Sequence, residues 1–350
     1  MESSIVLFMS NDTEYPDDYY STRETPVDGV KGYSVSAIIS LLVFLVVFLL
    51  GVPGNAVVIW VTGIEARKMV NAVWFLNLAL ADLLCCLVLP FLAVPIILHD
   101  HWPFTEAACR FLPSVILFNM YASVLLLMVI SIDRCLLVMK PIWCQNHRTV
   151  CMVGSACFLA WMLALVLTIP SLLYRQLVKE DFPPSWQCGV SYEIKAVELS
   201  VAISRFLLSF LVPLAIITVC YMLLLNRLWR RQATRSYKTV KVVVAVVVGF
   251  FICWTPYQIV GILIAVSEWG SVLYYWANKM DSLALALAYV NSCVNPIIYL
   301  VAGQGIKGRL VSYSVCTNLR NVLMEDSVGR ESKSFSRSTM ASTVVPEEQL

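Results

Sequence analysis

Charged side chains are scarce in this 350-residue chain. Asp, Glu, Lys and Arg make up 14% of it, against about 25% in soluble domains. The shortage is uneven. Tyr33–Ile64, Phe111–Ile132, Thr149–Tyr174, Phe206–Asn226, Val242–Ser267 and Ser282–Ile306 hold no charged residue, and Met69–Leu98 holds one, Asp82. Histidine is rarer still. His99, His101 and His147 all fall between these runs, so no metal or nucleophile constellation forms and a membrane enzyme is discounted. No lysine lies within the last run, since Lys279 stands at its outer edge and Lys307 comes next. That removes the Schiff-base lysine of a light-driven pump. Repeated halves and several midplane charges, the marks of a transporter, are missing too.

What is present is apolar length. Hydrophobic residues make up 59% of the chain, with a mean hydropathy of +0.77. A bilayer-spanning helix needs about 20 apolar residues, and inside lipid each backbone amide must be satisfied within its own helix. Seven such runs predict an all-α membrane protein, a seven-transmembrane helix bundle with its two termini on opposite sides. The net charge of +2 carries no signal for nucleic acid. Ile5–Met9 is too short for the apolar region of a signal peptide, and Glu2 stands where basic residues belong. The first run is therefore expected to act as the anchor.

Basic residues set the orientation. Arg67 and Lys68 follow run one, and Lys140 and Arg148 follow run three. Arg227, Arg230, Arg231, Arg235, Lys238 and Lys241 follow run five, and Lys307 and Arg309 follow run seven. All lie on one side, which the positive-inside rule makes cytoplasmic. The expectation is a multi-pass plasma-membrane protein with an extracellular amino terminus. Asn11-Asp12-Thr13 is a glycosylation sequon on the outer side. Of 12 cysteines, only Cys109 and Cys188 fall at outward positions, which argues for one disulfide in the oxidising compartment. The other ten read as small buried apolar residues.

The chain divides into an acidic outer tail, residues 1–32, a bundle, residues 33–303, an amphipathic juxtamembrane helix, residues 304–318, and a Ser/Thr-rich inner tail, residues 319–350. The outer tail has seven acidic against two basic residues, with Tyr15, Tyr19 and Tyr20 among the acids. It reads either as a solvated leader or as a docking strip for a basic partner, with tyrosines suited to sulfation. In the inner tail, Ser327, Ser332, Ser334, Ser336, Ser338 and Thr339 read either as plain polar chain or as a phosphorylation strip.

Polar groups at bilayer depth are expensive and mark function. Asp82 is the deepest charge, and Asn55, Asn119, Ser123, Asn291 and Asn295 are placed to face it across a bundle. That set reads either as a small-cation site, sodium for example, or as a hydrogen-bonded core without an ion. Asp133 and Arg134 end run three, as a local pair or as a boundary anchor in which arginine snorkels. Trp254 precedes Pro256 in run six, and Asn295-Pro296 precedes Tyr299 in run seven. Proline removes a helix hydrogen bond and kinks the helix. Pro90, Pro170 and Pro213 mark further bends.

Together these residues resemble the rhodopsin-like G-protein-coupled receptors. The resemblance runs through Gly54-Asn55, Leu78-Ala79-Leu80-Ala81-Asp82, Cys109, Asp133-Arg134, Trp161, Pro213, Tyr221, Cys253-Trp254-Thr255-Pro256 and Asn295-Pro296-Ile297-Ile298-Tyr299. It implies an outer ligand site, a bound sodium ion at Asp82 and no other cofactor. It also implies a cytoplasmic cavity for a G protein, lined by Arg134, Tyr221 and Tyr299. Gly51-Val52-Pro53-Gly54-Asn55, Val73–Ala79, Leu117–Ser123, Lys140–Gln145, Ala233–Ser236, Ala302–Gly305 and Glu325–Phe335 are similar to the complement anaphylatoxin receptors within that family. Those receptors take C5a, a basic disulfide-bonded fragment whose arm ends in arginine, and signal to leukocyte chemotaxis through inhibitory-class G protein, receptor kinases and arrestin. The resemblance implies that Arg175 and Arg205 seat a terminal carboxylate, since guanidinium binds carboxylate as a fork. It also implies that Asp281, opening helix seven, and Glu198, on the Arg205 face, meet basic side chains. Tyr257 then couples the ligand to Trp254, and Ile116 and Met120 wall the pocket.

Two features depart from that pattern. Cys135 follows Arg134 where an aromatic residue is usual; formyl-peptide receptors carry cysteine there, and Gln145–Val150 also resembles them. Leu117 and Val201 stand where those receptors carry an acid and a second arginine. Leu92–Ile96 is similar to the non-signalling sibling of the anaphylatoxin receptors, which lacks the arginine that this chain keeps as Arg134.

Overall fold

A computed structural model describes residues 32–65, 69–181, 184–231 and 237–303. Contacts divide the chain between Ser34 and Val35, and the described helices follow that division. Asn11, the three tail tyrosines, residues 304–318 and the hydroxyl-rich inner tail lie outside the described residues, as do the side chains of Arg230, Arg231 and Tyr299.

Seven helical spans are long and apolar enough to cross a bilayer: Val35–Ile64, Val70–Ile97, Glu106–Met139, Val150–Tyr174, Lys195–Arg227, Val242–Val266 and Val272–Ile298. They are numbered 1 to 7 in chain order. Lipid is as apolar as a protein core, so the outer faces need no polar residues. Leu42, Leu45, Phe158, Leu159, Val219 and Met222 are accordingly exposed. Span 3 differs, with 72% of its apolar window buried against 22% for spans 1, 4 and 5. It runs through the centre of the bundle, packed on spans 2, 4 and 5.

Local signals set the ends. Thr105 and Thr149 cap the starts of spans 3 and 4, accepting from Ala108 N at 3.3 Å and Met152 N at 3.2 Å. Pro141 stops span 3 after Lys140 and opens the short helix Pro141–His147. Span 5 carries a π turn over Leu207–Leu211, in which Val212 N–H donates to Leu207 O five residues back. Pro213 follows directly, lacks its own N–H, and favours the extra residue. The turn re-registers the face that carries Arg205.

Side chains tie the helices at close range. Trp161 Nε1 donates to Asn77 Oδ1 at 2.8 Å, joining spans 2 and 4. Span 1 approaches span 7 through Gly54, where a Cβ would stand 2.9 Å from Pro296 Cβ.

Between spans 4 and 5 the chain forms a hairpin, β1 (Arg175–Asp181) antiparallel to β2 (Pro184–Val190), with Arg175 opposite Val190 and Leu177 opposite Cys188. The strands have weak apolar alternation, and their pairing depends on two distant anchors. The Cys109–Cys188 disulfide holds β2 to span 3, and Trp102 N donates to Trp186 O at 2.7 Å. Asp281 does not stand where the sequence pattern placed it. The last helix starts at Val272, so Asp281 lies about two and a half turns inside it rather than opening it. Asn278, Lys279 and Asp281 interrupt the apolar run without interrupting the helix.

Gly54→Val is expected to overpack the span 1–span 7 contact and destabilise the protein by about 1–3 kcal/mol. Gly154→Val, where a Cβ meets nothing within 4 Å, is the control expected to leave the melting temperature unchanged. Thermal unfolding of the detergent-purified protein checks both.

Candidate functional site: three polar centres along the bundle

Three polar centres interrupt the apolar interior. The first lies at the disulfide end. Arg175 ends the span 4 helix and begins β1, Arg205 precedes the π turn of span 5, and Asp281 projects from span 7. All three are half-buried. The Nε of each arginine is buried without a hydrogen-bond partner among the described residues. Asp281 lies in the field of Arg205 and Arg175, yet it pairs with neither within 4 Å among the described residues. Burial pulls the Arg175 guanidinium below its ordinary value, opposed by Tyr257, Tyr289, Tyr192 and Asp281. Burial also pushes the Tyr192 phenol up. Two partly desolvated guanidiniums facing one carboxylate leave a net positive pocket with unused donors. Such a pocket suits an anion of forked geometry.

The floor of this pocket is aromatic and polar. The Arg205 Cζ stands 5.2 Å from the Tyr257 ring centroid. Tyr257 meets Trp254 edge-on at 5.8 Å, and Trp254 is fully buried. Ile116 and Met120 are buried on span 3. Gln258 Nε2 donates to Ser209 Oγ at 2.6 Å and approaches Met120 Sδ at 3.3 Å. That node joins spans 3, 5 and 6 beneath the arginines. Sequence reasoning missed Gln258 and Ser209, although each is an uncharged polar residue in an otherwise apolar run. Glu198 stands apart. It pairs with Lys195 Nζ at 3.0 Å and lines an outer cleft of about 420 Å³ with Glu268, Trp269 and Tyr274.

The second centre surrounds Asp82, which is fully buried on span 2. Asn295 Nδ2 donates to its Oδ2 at 2.7 Å, and Asn119 and Ser292 lie near its carboxyl. Its Oδ1 is buried without a hydrogen-bond partner among the described residues. Asn119 Nδ2 donates to Ser292 Oγ at 3.2 Å, and Ser123 Oγ to Asn119 Oδ1 at 3.3 Å. Asn55 serves the backbone instead, donating to Gly51 O at 3.0 Å and Ser292 O at 2.8 Å. Asn291 is buried, and its Nδ2 has no hydrogen-bond partner among the described residues. Of the residues picked from sequence, Asn295 hydrogen-bonds Asp82 directly, while Asn119 bonds to Ser292 and Ser123 beside it. Ser292 was missed because serine at bilayer depth is common. The donors are oxygens, a set matched to a hard cation.

The third centre is at the opposite end. Asp133 and Arg134 are buried, but the main partner of Asp133 is Arg148. Arg148 Nε donates to Asp133 Oδ1 at 2.7 Å and Nη2 to Oδ2 at 2.9 Å. Arg134 Nη2 stays 3.7 Å from Asp133 Oδ2 and donates to Asn71 Oδ1 at 2.5 Å. Arg148 Nη2 also reaches Asn71 Oδ1, at 2.7 Å. The local Asp133–Arg134 pair expected from sequence is thus subordinate to a fork from the start of span 4. A guanidine plane matches both carboxylate oxygens at once, which a side chain on the adjacent residue of the same helix does not achieve here. Tyr221 lies near Ser131 and in the field of Arg134.

Comparison with known proteins gives a consistent picture. Residues 54–299 match the model of the 7 transmembrane receptor (rhodopsin family). The chain is 56% identical over 319 residues to C5a anaphylatoxin chemotactic receptor 1 of Oryctolagus cuniculus, covering 90% of this chain and 91% of that protein. It is 56% identical over 328 residues to the protein of that name from Homo sapiens, with 93% of each covered. For the Rattus norvegicus protein of the same name the identity is 49% over 342 residues, covering 97% and 95%.

Arg148→Ala is expected to leave Asp133 buried without its fork and to destabilise the protein by about 3–5 kcal/mol. Asp133→Asn in the Arg148→Ala background is expected to recover part of that loss by removing the orphaned charge. Melting temperatures of the single and double variants measure the coupling.

Proposed function

The chain belongs to the rhodopsin family of seven-transmembrane receptors, and from that premise we propose that it is a receptor for the complement anaphylatoxin C5a. It is a multi-pass plasma-membrane receptor and not an enzyme. The reading continues with an extracellular amino terminus, so that the disulfide end faces outward. The observation that carries the ligand assignment is the pair of half-buried guanidiniums, Arg175 and Arg205, each with an unpartnered Nε, opposite the single carboxylate of Asp281. The relatives' shared name supports the same reading.

In this scheme the terminal carboxylate of a basic, C5a-like arm lies between Arg175 and Arg205. Asp281 meets a basic side chain of the arm, and Glu198 does so by exchanging its Lys195 partner. Ile116 and Met120 close the apolar side of the pocket. Arg205 lies over Tyr257, and Tyr257 lies against Trp254, two residues before the helix-bending Pro256. A ligand that binds more tightly when span 6 swings outward shifts the population to that arrangement. At the inner end, Arg148 and Asn71 hold Asp133 and Arg134 in the resting state. Outward movement frees Arg134, with Tyr221 and Tyr299, to line a cavity for an inhibitory-class G protein. Receptor kinases then phosphorylate Ser327, Ser332, Ser334, Ser336, Ser338 and Thr339, and arrestin binds the added charge. Sulfation at Tyr15, Tyr19 and Tyr20 and glycosylation at Asn11 belong to the same reading of the outer tail.

The Asp82 centre fits a sodium ion, because a fully buried carboxylate oxygen without a partner is stabilised by a bound cation. Asp82, with side-chain oxygens of Asn119, Ser123 and Ser292, would hold it. Asn295 orients the carboxylate, and Asn55 and Asn291 shape the surrounding polar core. The ion would neutralise Asp82 in the resting bundle.

Calcium flux in transfected cells, challenged in parallel with C5a and a formylated peptide, tests the ligand. A C5a response that falls by roughly tenfold or more in potency with Arg175→Ala or Asp281→Ala is expected. A response to formyl peptide alone would overturn the assignment. Arrestin recruitment without calcium flux would point to the behaviour of the non-signalling sibling. For the cation, replacing N-methylglucamine chloride by sodium chloride is expected to raise the melting temperature of the wild type and not of Asp82→Asn. Equal stabilisation of both would place any sodium effect elsewhere.

A further inference from the structure

Arg205 does not simply point into the pocket; it is seated on span 6. Its guanidinium stands over the Tyr257 ring, with Cζ 5.2 Å from the centroid. Gly261 is four residues beyond Tyr257, one turn on, and so on the same face of the helix. A methyl group at Gly261 would overlap Arg205 Nη2 and lie 3.3 Å from its Cζ. The space that Gly261 leaves empty is therefore the space the guanidinium occupies. Nothing in the backbone of Gly261 asks for glycine, since its helix is unbroken. The backbone of span 5 is pinned beside this seat. Ser209 Oγ donates to Arg205 O at 2.7 Å, and Gln258, on the next turn of span 6, donates to Ser209 Oγ at 2.6 Å. The π turn begins at Leu207, two residues after Arg205. The backbone that carries Arg205 is thus held against span 6.

We infer that Gly261 is a specificity-determining residue: it forms, with Tyr257, a slot on span 6 that holds the Arg205 guanidinium in place to receive a carboxylate-terminated peptide. The specificity role rests on the proposed C5a ligand. A side chain at position 261 pushes the guanidinium out of the slot, away from Tyr257, and the pocket loses its orientation toward the anion while keeping the charge. The slot also makes Arg205 a bridge from span 5 to span 6. An anion held by Arg205 is then held against the helix that carries Trp254.

Two measurements test this, one of them without ligand. In thermal unfolding of the purified full-length receptor, Gly261→Ala is expected to lower the melting temperature by about 2–4 °C with Arg205 present, and in the Arg205→Ala background to raise it slightly, since alanine is the better helix former. The double variant also serves if Gly261→Ala alone does not accumulate. Equal effects in both backgrounds would overturn the slot. The second measurement uses a basic peptide ending in arginine, as free acid and as carboxamide. Wild type is expected to prefer the acid by about tenfold or more, the range of one charge-assisted hydrogen bond. Gly261→Ala is expected to respond to the two within about twofold, with surface expression matched to wild type. A preference retained in Gly261→Ala would overturn the specificity role even if the melting data show the slot. A wild type silent to both peptides would instead refute the C5a reading and the specificity role with it, leaving the melting result to decide the slot.

Discussion

A charge placed at bilayer depth has no water to stabilise it, so a side chain, an ion or a ligand must do so. The whole arrangement of this bundle depends on how three such centres meet that demand. At the Arg134 end, Asp133 is saturated by the fork of Arg148, and Asn71 accepts from both arginines. Midway, Asp82 has one oxygen held by Asn295 and the other without a hydrogen-bond partner among the described residues. At the disulfide end, two guanidiniums share the field of one carboxylate and form no ion pair with it within 4 Å among the described residues. Internal compensation falls steadily from one end to the other. The least compensated end is the one proposed to receive an anionic ligand, which supplies from outside what the fold leaves undone.

The material between the centres is aromatic and close-packed. Trp254 touches Tyr257 at 5.8 Å and Phe250 at 6.0 Å, Phe251 meets Phe250 at 5.4 Å, and Phe210 meets Phe251 at 5.1 Å. Close-packed interiors respond to displacement by switching between packings rather than by yielding smoothly. The π turn before Pro213 and the helix around Pro256 each interrupt the regular ladder of backbone hydrogen bonds. They lie on spans 5 and 6, the same pair that Arg205 bridges through Tyr257 and Gly261. A push at the pocket is therefore delivered to two helices whose backbone ladders are interrupted.

Much of this was legible in the chain. The seven spans follow from runs without charge, and the Cys109–Cys188 pairing followed from only two cysteines falling on one side. Trp254, Asp82 and Asn295 could be singled out because a polar or bulky residue in an apolar run stands out locally. Other features left no such mark. Arg148 read as one more basic residue at the inner boundary, indistinguishable from Lys140, because its partner lies 15 positions away on another span. Glu198 was placed on the Arg205 face by helical spacing, but Lys195, only three residues back, takes it as a partner. Asp281 looked like the start of a helix because charge usually ends an apolar run. The helix in fact continues past the boundary that hydropathy marks.

Hydropathy is a sum over neighbours in sequence, so the sequence by itself determined the number of spans and where the polar residues interrupt them. Which of those residues meet is a matter of helix rotation, register and backbone approach, and these depend on side chains hundreds of positions apart. The gap at Gly261 has no meaning until Arg205 is laid across it, and the fork on Asp133 has none until span 4 is brought beside span 3. Only the tertiary structure decided those pairings, because a desolvated charge is stabilised by what stands within a few ångströms in space, whatever its distance along the chain.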